Sequence, residues 1–70
     1  MNTIKEGDYL IVLQDKSHPN LEGRLVKVVS VDYNSMYPIF VVFTTTCMHN
    51  SYLVSEVRLL SKENDPEYFI

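Results

Sequence analysis

Apolar residues occur along this chain in short runs that are rich in β-branched and aromatic side chains. This composition is typical of strands that lie on a half-buried pleated surface. No window shows the i, i+3, i+4, i+7 spacing of an amphipathic helix, and alanine, the strongest helix former, does not occur. We therefore predict an all-β chain. The expected strands are residues 9–13, 25–31, 39–46, 51–54 and 57–60.

Alternation in the first predicted strand leaves a row of apolar side chains on its outer side. Leu10 and Val12 point to one face, the expected core, and their neighbours point to the other. A contiguous exposed apolar row needs a cover. Either residues 68–70 fold back over it, or another protein covers it, which includes a second copy of this chain pairing through an edge strand. The row consists of Tyr9, Ile11 and Leu13.

The remaining strands carry further signals about the sheet. Val28 and Val29 break the alternation of the second strand, which predicts a β-bulge. The third strand is apolar on both faces and is expected to lie inside the sheet, and a single 3₁₀ turn is expected at Ser55 and Glu56, before the last strand. The predicted core contains Leu10, Val12, Val28, Val41 and Leu59.

Five short strands in sixty residues leave two open edges and one open face if the sheet stays flat. Curling into a small barrel buries one face and pairs most edges, so we expect a single barrel over residues 1–60. Residues 61–70 then form an acidic tail ending in Tyr-Phe-Ile. This tail holds one basic and three acidic residues, a net charge of −2 out of −3 for the chain.

The order of these signals resembles that of small SH3-like barrels, including KOW-type modules. Residues 7–12 (Gly-Asp-Tyr-Leu-Ile-Val) resemble the opening strand of that fold, and residues 23–32 resemble its second strand. Residues 52–60 are similar to its fourth strand, 3₁₀ turn and final strand, so the resemblance covers about residues 5–60. The KOW pattern repeats a glycine where this chain has Val26. The resemblance implies a binding module for peptides, modified residues, nucleic acid or larger assemblies.

Charge, cysteine content and hydropathy narrow the function classes. A net charge of −3 and an isoelectric point near 5.1 argue against a dedicated DNA-backbone binder. Cys47 has no second cysteine for an internal disulfide. No apolar run approaches the length of a membrane span, and the first ten residues do not have the pattern of a signal peptide. We expect a cytoplasmic protein that does not contact the membrane.

The tyrosine-bearing loop after the second strand is the strongest candidate site. Tyrosine and methionine bury large areas at protein interfaces at modest entropic cost. We therefore expect a non-catalytic protein-interaction module without a cofactor, acting as a small modulator or inhibitor on a larger protein. The same tyrosines could instead pack over the barrel mouth. The predicted contact residues are Tyr33, Met36, Tyr37 and Tyr52, with Tyr9 and Ile11 as a second patch.

Two alternatives rest on other residues. A KOW-like nucleic-acid or ribonucleoprotein contact would use four cations, provided that they cluster. A small enzyme would use Cys47 as nucleophile and His49 as base, two positions apart on one face of an extended segment. A metal site at these two residues with His18 lacks the paired spacing of zinc ligands, so we predict no metal. The four cations are Lys16, Arg24, Lys27 and Arg58.

Overall fold

The computed structural model describes residues 3–69, in which five strands form one antiparallel sheet. The strands are β1 (Tyr9–Val12), β2 (Leu25–Val31), β3 (Ile39–Phe43), β4 (His49–Tyr52) and β5 (Val57–Leu59). Their order across the sheet is β4-β3-β2-β1-β5. The described residues contain three short 3₁₀ helices and no α-helix, which confirms the all-β prediction. No helix among them is long and apolar enough to cross a membrane.

The third and fourth strands differ in extent from the prediction. β3 ends at Phe43, three residues early, because residues 44–46 form a turn and Cys47 adopts a left-handed φ of 60°. The turn is closed by the Cys47 N–H, which donates to the Phe43 carbonyl at 3.1 Å. β4 consequently starts at His49, two residues early. The threonine run favours a strand by composition, and the hairpin geometry overrides it.

The predicted bulge and the predicted 3₁₀ turn are both confirmed. Val28 of β2 pairs with Val41, and Ser30 pairs with the adjacent Phe40, so Val29 is the inserted residue. The turn spans Val54–Glu56 and leads directly into β5. Since a bulge sharpens the local twist of a sheet, this one bends β2 between its two halves.

One main core lies on the inner face of the sheet. Four of the five predicted core side chains are buried in it, and Leu59 is half-buried against it. β3 has a neighbour on each side, as expected from its apolar faces. The cluster consists of Ile4, Leu10, Val12, Leu21, Val26, Val28, Ile39, Val41, Phe43, Tyr52 and Val57.

The segment after β1 approaches β4, although β2 and β3 lie between β1 and β4 in the sheet. Adjacent strands lie about 4.8 Å apart, so a flat sheet would separate β4 from β1 by about 14 Å. Yet the Tyr52 hydroxyl of β4 reaches the Asp15 carboxylate, just beyond β1, at 2.7 Å. The loop after β1 and the edge strand β4 therefore meet at one end of the molecule.

β4 lies at one edge of the sheet, with its outward backbone groups partly occupied. Phe43 donates its N–H to the Met48 carbonyl, and by the alternation of an antiparallel ladder the Ser51 N–H then faces away from β3. That N–H donates to Oδ1 of its own neighbour, Asn50, at 2.9 Å. One outward donor of this edge is thus already bonded within the strand.

Candidate functional site

Asp15 is a buried carboxylate that joins the β1–β2 loop to β4. Its side chain accepts the Tyr52 hydroxyl at 2.7 Å and the Asn50 amide at 3.2 Å through Oδ2, and the His18 backbone N–H at 3.0 Å through Oδ1. Asp15 is only 5% exposed, and Tyr52 is 2% exposed. Because its two oxygens accept hydrogen bonds from separate segments, this carboxylate holds the β1–β2 loop against β4.

The chain around Asp15 is itself held in place. The Asp15 N–H donates to the Glu22 carboxylate at 2.9 Å, across a turn that contains a short 3₁₀ helix at Pro19–Leu21. Proline fixes the φ of the first position of this helix, and Leu21 is buried in the main core. The loop is therefore fixed by one apolar anchor and by hydrogen bonds on both sides of Asp15.

The environment shifts the pKa values of both members of the central pair. Burial raises the pKa of Asp15, but the hydrogen bonds from Tyr52 and from the His18 and Ser17 backbones, with the His18 imidazole nearby, outweigh burial and leave the pKa below its ordinary value. Burial and the contact with Asp15 raise the pKa of Tyr52 well above its ordinary value, although Asn50 lowers it. Aspartate is thus ionised and the phenol protonated over the neutral range.

A cleft of about 290 Å³ opens above this network. Three loops or turns and one edge strand contribute to it, since its walls come from the β1–β2 loop, the β2–β3 loop, β4 and the turn before β5. A volume near the lower end of small-ligand sites suits one or two side chains of a bound chain. The lining residues are Asp15, Lys16, Ser17, His18, Tyr37, Asn50, Ser51, Tyr52 and Glu56.

The structure places the predicted loop residues in three different surroundings. Tyr37 lines the cleft, half-exposed, and Met36 beside it is 81% exposed. The Tyr33 hydroxyl donates to the Ile4 carbonyl at 3.3 Å, and Tyr33 lines a separate cavity with Ile4. Tyr52 differs from the expectation of a surface contact, because its ring is in the core and only its hydroxyl meets the cleft network.

The second predicted patch is also only partly accessible. Tyr9 is half-buried, and the Lys27 ammonium lies 5.7 Å from the centre of its ring. Ile11 is 8% exposed, between its register partners Leu25 and Arg58. Ile11 therefore differs from the expectation of an exposed contact residue. Of residues 68–70, the expected cover, Ile70 lies outside the described residues.

The four candidate cations occupy separate settings. Lys16 lines the cleft, whereas Arg24 donates through Nε to the Asn20 carbonyl at 3.4 Å. Lys27 lies over Tyr9, as described above, and Arg58 forms an ion pair with Asp65. The nucleic-acid alternative depends on these cations forming one cluster, and each has a different neighbour.

The enzyme alternative assumes that the segment from Cys47 to His49 is extended, and in the structure it is not. Cys47 has φ of 60°, so alternation of side chains does not place its thiol beside the His49 ring. That ring stacks instead on Phe40, with centroids 5.3 Å apart and planes 16° from parallel. Among residues 3–69, no three His, Cys, Asp or Glu side chains lie close enough together to hold a metal ion.

No known protein-family model matches the sequence, and no curated protein matches it either. The candidate site therefore rests on its geometry. Its central residue, Asp15, was not among the residues selected from the sequence, where it stands as one polar residue in a turn-rich loop. Its side-chain partners lie 35 and 37 positions away, so no local spacing marks it.

Proposed function

We propose that this chain is a non-catalytic protein-interaction module that binds a segment of a larger protein in the Asp15 cleft. The observation that carries the proposal is the exposed pair Met36 and Tyr37, of which Tyr37 stands in the wall of the cleft. Large amphipathic side chains beside a concave surface are typical of the centre of a protein interface. Binding there would modulate or inhibit the larger protein, which we place in the cytoplasm.

A rigid floor supports this proposal. Asp15, Tyr52 and Asn50 are joined by hydrogen bonds of 2.7 and 3.2 Å, so the base of the cleft is fixed before any partner arrives. A surface that is already ordered loses little conformational entropy on binding. Tyr37 then contributes apolar area at low entropic cost, while Lys16 and Glu56 offer one charge of each sign at the wall.

We further propose that the sheet closes into an SH3-like barrel over residues 1–60. The strand order, with β5 beside β1, and the 3₁₀ turn between β4 and β5 support this assignment. The contact between Tyr52 and Asp15 supports it as well, because it draws one sheet edge toward the segment after β1. In such a barrel, the loops that line the cleft lie together at one end.

The interaction can be tested by capture with a matched pair of variants. The full chain, Tyr37→Ala and Thr46→Ala are immobilised and exposed to a native cell extract that has been treated with nuclease. Thr46 is exposed in the β3–β4 turn and is not among the cleft-lining residues. We expect proteins that are retained by the wild type and by Thr46→Ala and lost with Tyr37→Ala, because Tyr37 is the apolar wall of the cleft.

A photo-crosslinking amino acid at position 37 then identifies the contact directly. Crosslinks from position 37 to one protein, with little loss of capture between low and high salt, support the proposal. Identical retention by the wild type and Tyr37→Ala contradicts it. Capture that occurs only from a parallel extract without nuclease treatment, and that falls steeply with salt, favours the nucleic-acid alternative through Lys16, Arg24, Lys27 and Arg58.

A further inference from the structure

The C-terminal segment of the same chain, which we call the strap (residues 61–69), lies beside the outer face of β1. Its aromatic residues Tyr68 and Phe69 line a cavity of about 420 Å³ together with Tyr9, Leu25 and Thr44. This cavity shares no lining residue with the Asp15 cleft. The molecule therefore has a second concave surface, part of which is formed by the strap.

An ion pair fixes the strap to the same face. Arg58, the register partner of Ile11 on β5, donates through Nη1 to both carboxylate oxygens of Asp65, at 3.0 and 3.2 Å. Asp65 is buried, and it also accepts the Ser61 N–H at 3.2 Å. A buried carboxylate needs such partners, so Arg58 is the reason that an acid is tolerated here.

Apolar burial accompanies the ion pair. Ile11 and Leu60 are both buried, yet neither belongs to the main core cluster on the inner face. Ile11 lies beside Arg58, and Leu60 immediately precedes the strap and donates its N–H to the Tyr9 carbonyl at 3.0 Å. The strap thus sits where a second, smaller apolar surface lies on the outside of the sheet.

We propose that this outer face is a second binding site, specific for an acidic–aromatic peptide segment, and that the strap occupies it in cis as a pseudo-ligand. The chemistry of the ligand is taken from the strap: a carboxylate that pairs with Arg58, followed three and four residues later by aromatic residues that line the cavity with Tyr9 and Leu25. A partner protein that carries this spacing displaces the strap.

Because the strap is part of the same chain, a partner peptide competes with a tethered segment for the outer face. A segment joined by a short linker acts at an effective concentration of the order of millimolar, so the free face is rarely available in the intact chain. The apparent affinity of a partner is reduced by the fraction of molecules in which the strap is open. Loosening the strap without changing the face must therefore strengthen binding of a peptide added in trans.

The test uses a labelled synthetic peptide with the sequence of residues 61–70 and measures its fluorescence anisotropy with the full chain. Asp65→Asn in the protein weakens the strap and leaves Arg58 and the apolar face unchanged, so we expect about fivefold tighter peptide binding than with the wild type. Glu63→Gln removes one charge from an exposed position of the same segment and is expected to behave as the wild type. A peptide with asparagine at the position of Asp65, and serine at both aromatic positions, is expected to bind at least about tenfold more weakly.

Backbone NMR shifts of the Asp65→Asn protein locate the bound peptide. Shifts at Tyr9, Leu25 and Thr44 support the proposal, whereas shifts confined to Tyr37 and Asn50 overturn it and assign the peptide to the cleft. Equal affinity for the wild type and Asp65→Asn, or no binding to Asp65→Asn at millimolar peptide, also overturns it. If Asp65→Asn does not fold, Tyr68→Ser loosens the other end of the strap and is judged by the same outcomes.

Discussion

At the residue scale, Asp15 shows how a small protein keeps a charge inside. A buried carboxylate without partners would be expelled or protonated. Here Tyr52, Asn50 and the His18 backbone each donate a hydrogen bond to it. Within the described residues, no buried side-chain nitrogen or oxygen atom lacks a hydrogen-bond partner. The network therefore determines how the β1–β2 loop is placed against β4.

Removing the Tyr52 hydroxyl tests that network. Tyr52→Phe leaves the ring in the core and takes one donor from Asp15, so we expect the free energy of unfolding to fall by about 1–3 kcal/mol. Tyr37→Phe is the matched control, since its ring is half-exposed, and it is expected to change stability by less than about 0.5 kcal/mol. Urea unfolding followed by tyrosine fluorescence measures both. Equal effects of the two variants would show that the network adds nothing.

The lowered pKa of Asp15 predicts an acid-sensitive contribution. The folded protein holds the carboxylate ionised more strongly than the unfolded chain does, so this stability is present above the unfolded pKa, about 4, and is lost as the pH falls through the folded pKa. We expect the stability difference between the wild type and Asp15→Asn to be constant near neutral pH and to shrink below about pH 4. Unfolding curves between pH 2 and 7 provide the comparison. A difference that persists unchanged at low pH contradicts this account.

At the element scale, the β3–β4 turn ends a strand that composition alone would have continued. Phe43 is the last residue of β3, and Cys47 closes the turn with positive φ. A side chain in that backbone region is strained, and a β-branched one more so. The position of this turn sets the register of β4 and hence the alignment of Asn50 and Tyr52 with Asp15.

Substitutions at Cys47 test that strain. Cys47→Gly relieves it and Cys47→Val increases it, so we expect Cys47→Val to be less stable than Cys47→Gly by about 1–2 kcal/mol. Thr46→Gly and Thr46→Val at the adjacent position, which does not have positive φ, give the control pair. At position 46, glycine is not expected to be more stable than valine. Thermal unfolding of the four variants is sufficient, and the same order of stability at both positions would be evidence against a left-handed Cys47.

Sequence reasoning succeeds for the elements and fails at the site for a physical reason. Strands, bulges and turns are recognised from residues that are adjacent in the sequence. For this reason β1, β2, the bulge at Val29 and the turn before β5 follow from the local pattern. The loop after β2 also has a local signal, since the Asp32 carboxylate accepts the Asn34 N–H at 3.0 Å, two residues along the chain. The side-chain partners of Asp15 come from β4, and the neighbours of Ile11 come from β2 and β5. Such contacts depend on the folded arrangement and leave no local spacing.

At the scale of the whole molecule, a chain of 70 residues has buried surface on both sides of its sheet. A domain this small buries only about 60% of its unfolded surface, so each added cover matters. The main core fills the inner face, while the strap and the Arg58–Asp65 pair lie on the outer face. The two polar anchors, Asp15 and Asp65, are the two buried charged residues among those described.

Loosening the strap should change local opening more than global stability. Arg58 is half-exposed, so we expect Asp65→Asn to cost about 1 kcal/mol or less of global stability. In this variant, the backbone N–H groups of position 65 and of Tyr68, which are hydrogen-bonded within the strap, are expected to exchange with solvent at least about fivefold faster than in the wild type. The β2 and β3 amides keep their protection. Hydrogen exchange followed by NMR, with Glu63→Gln as control, decides this, and uniform acceleration through the sheet would refute it.

The Asn50 side chain makes two hydrogen bonds at once, and these link the tendency to aggregate to the position of the β1–β2 loop. Its nitrogen donates to Asp15 and its oxygen accepts from the outward N–H of Ser51. When the β1–β2 loop detaches from β4, the Asn50 amide is free to rotate. The Ser51 N–H at the β4 edge of the sheet then loses its hydrogen-bond acceptor. Stacking of molecules into fibrils should therefore begin with loop detachment, and conditions that protonate Asp15 should shorten the lag before fibrils grow.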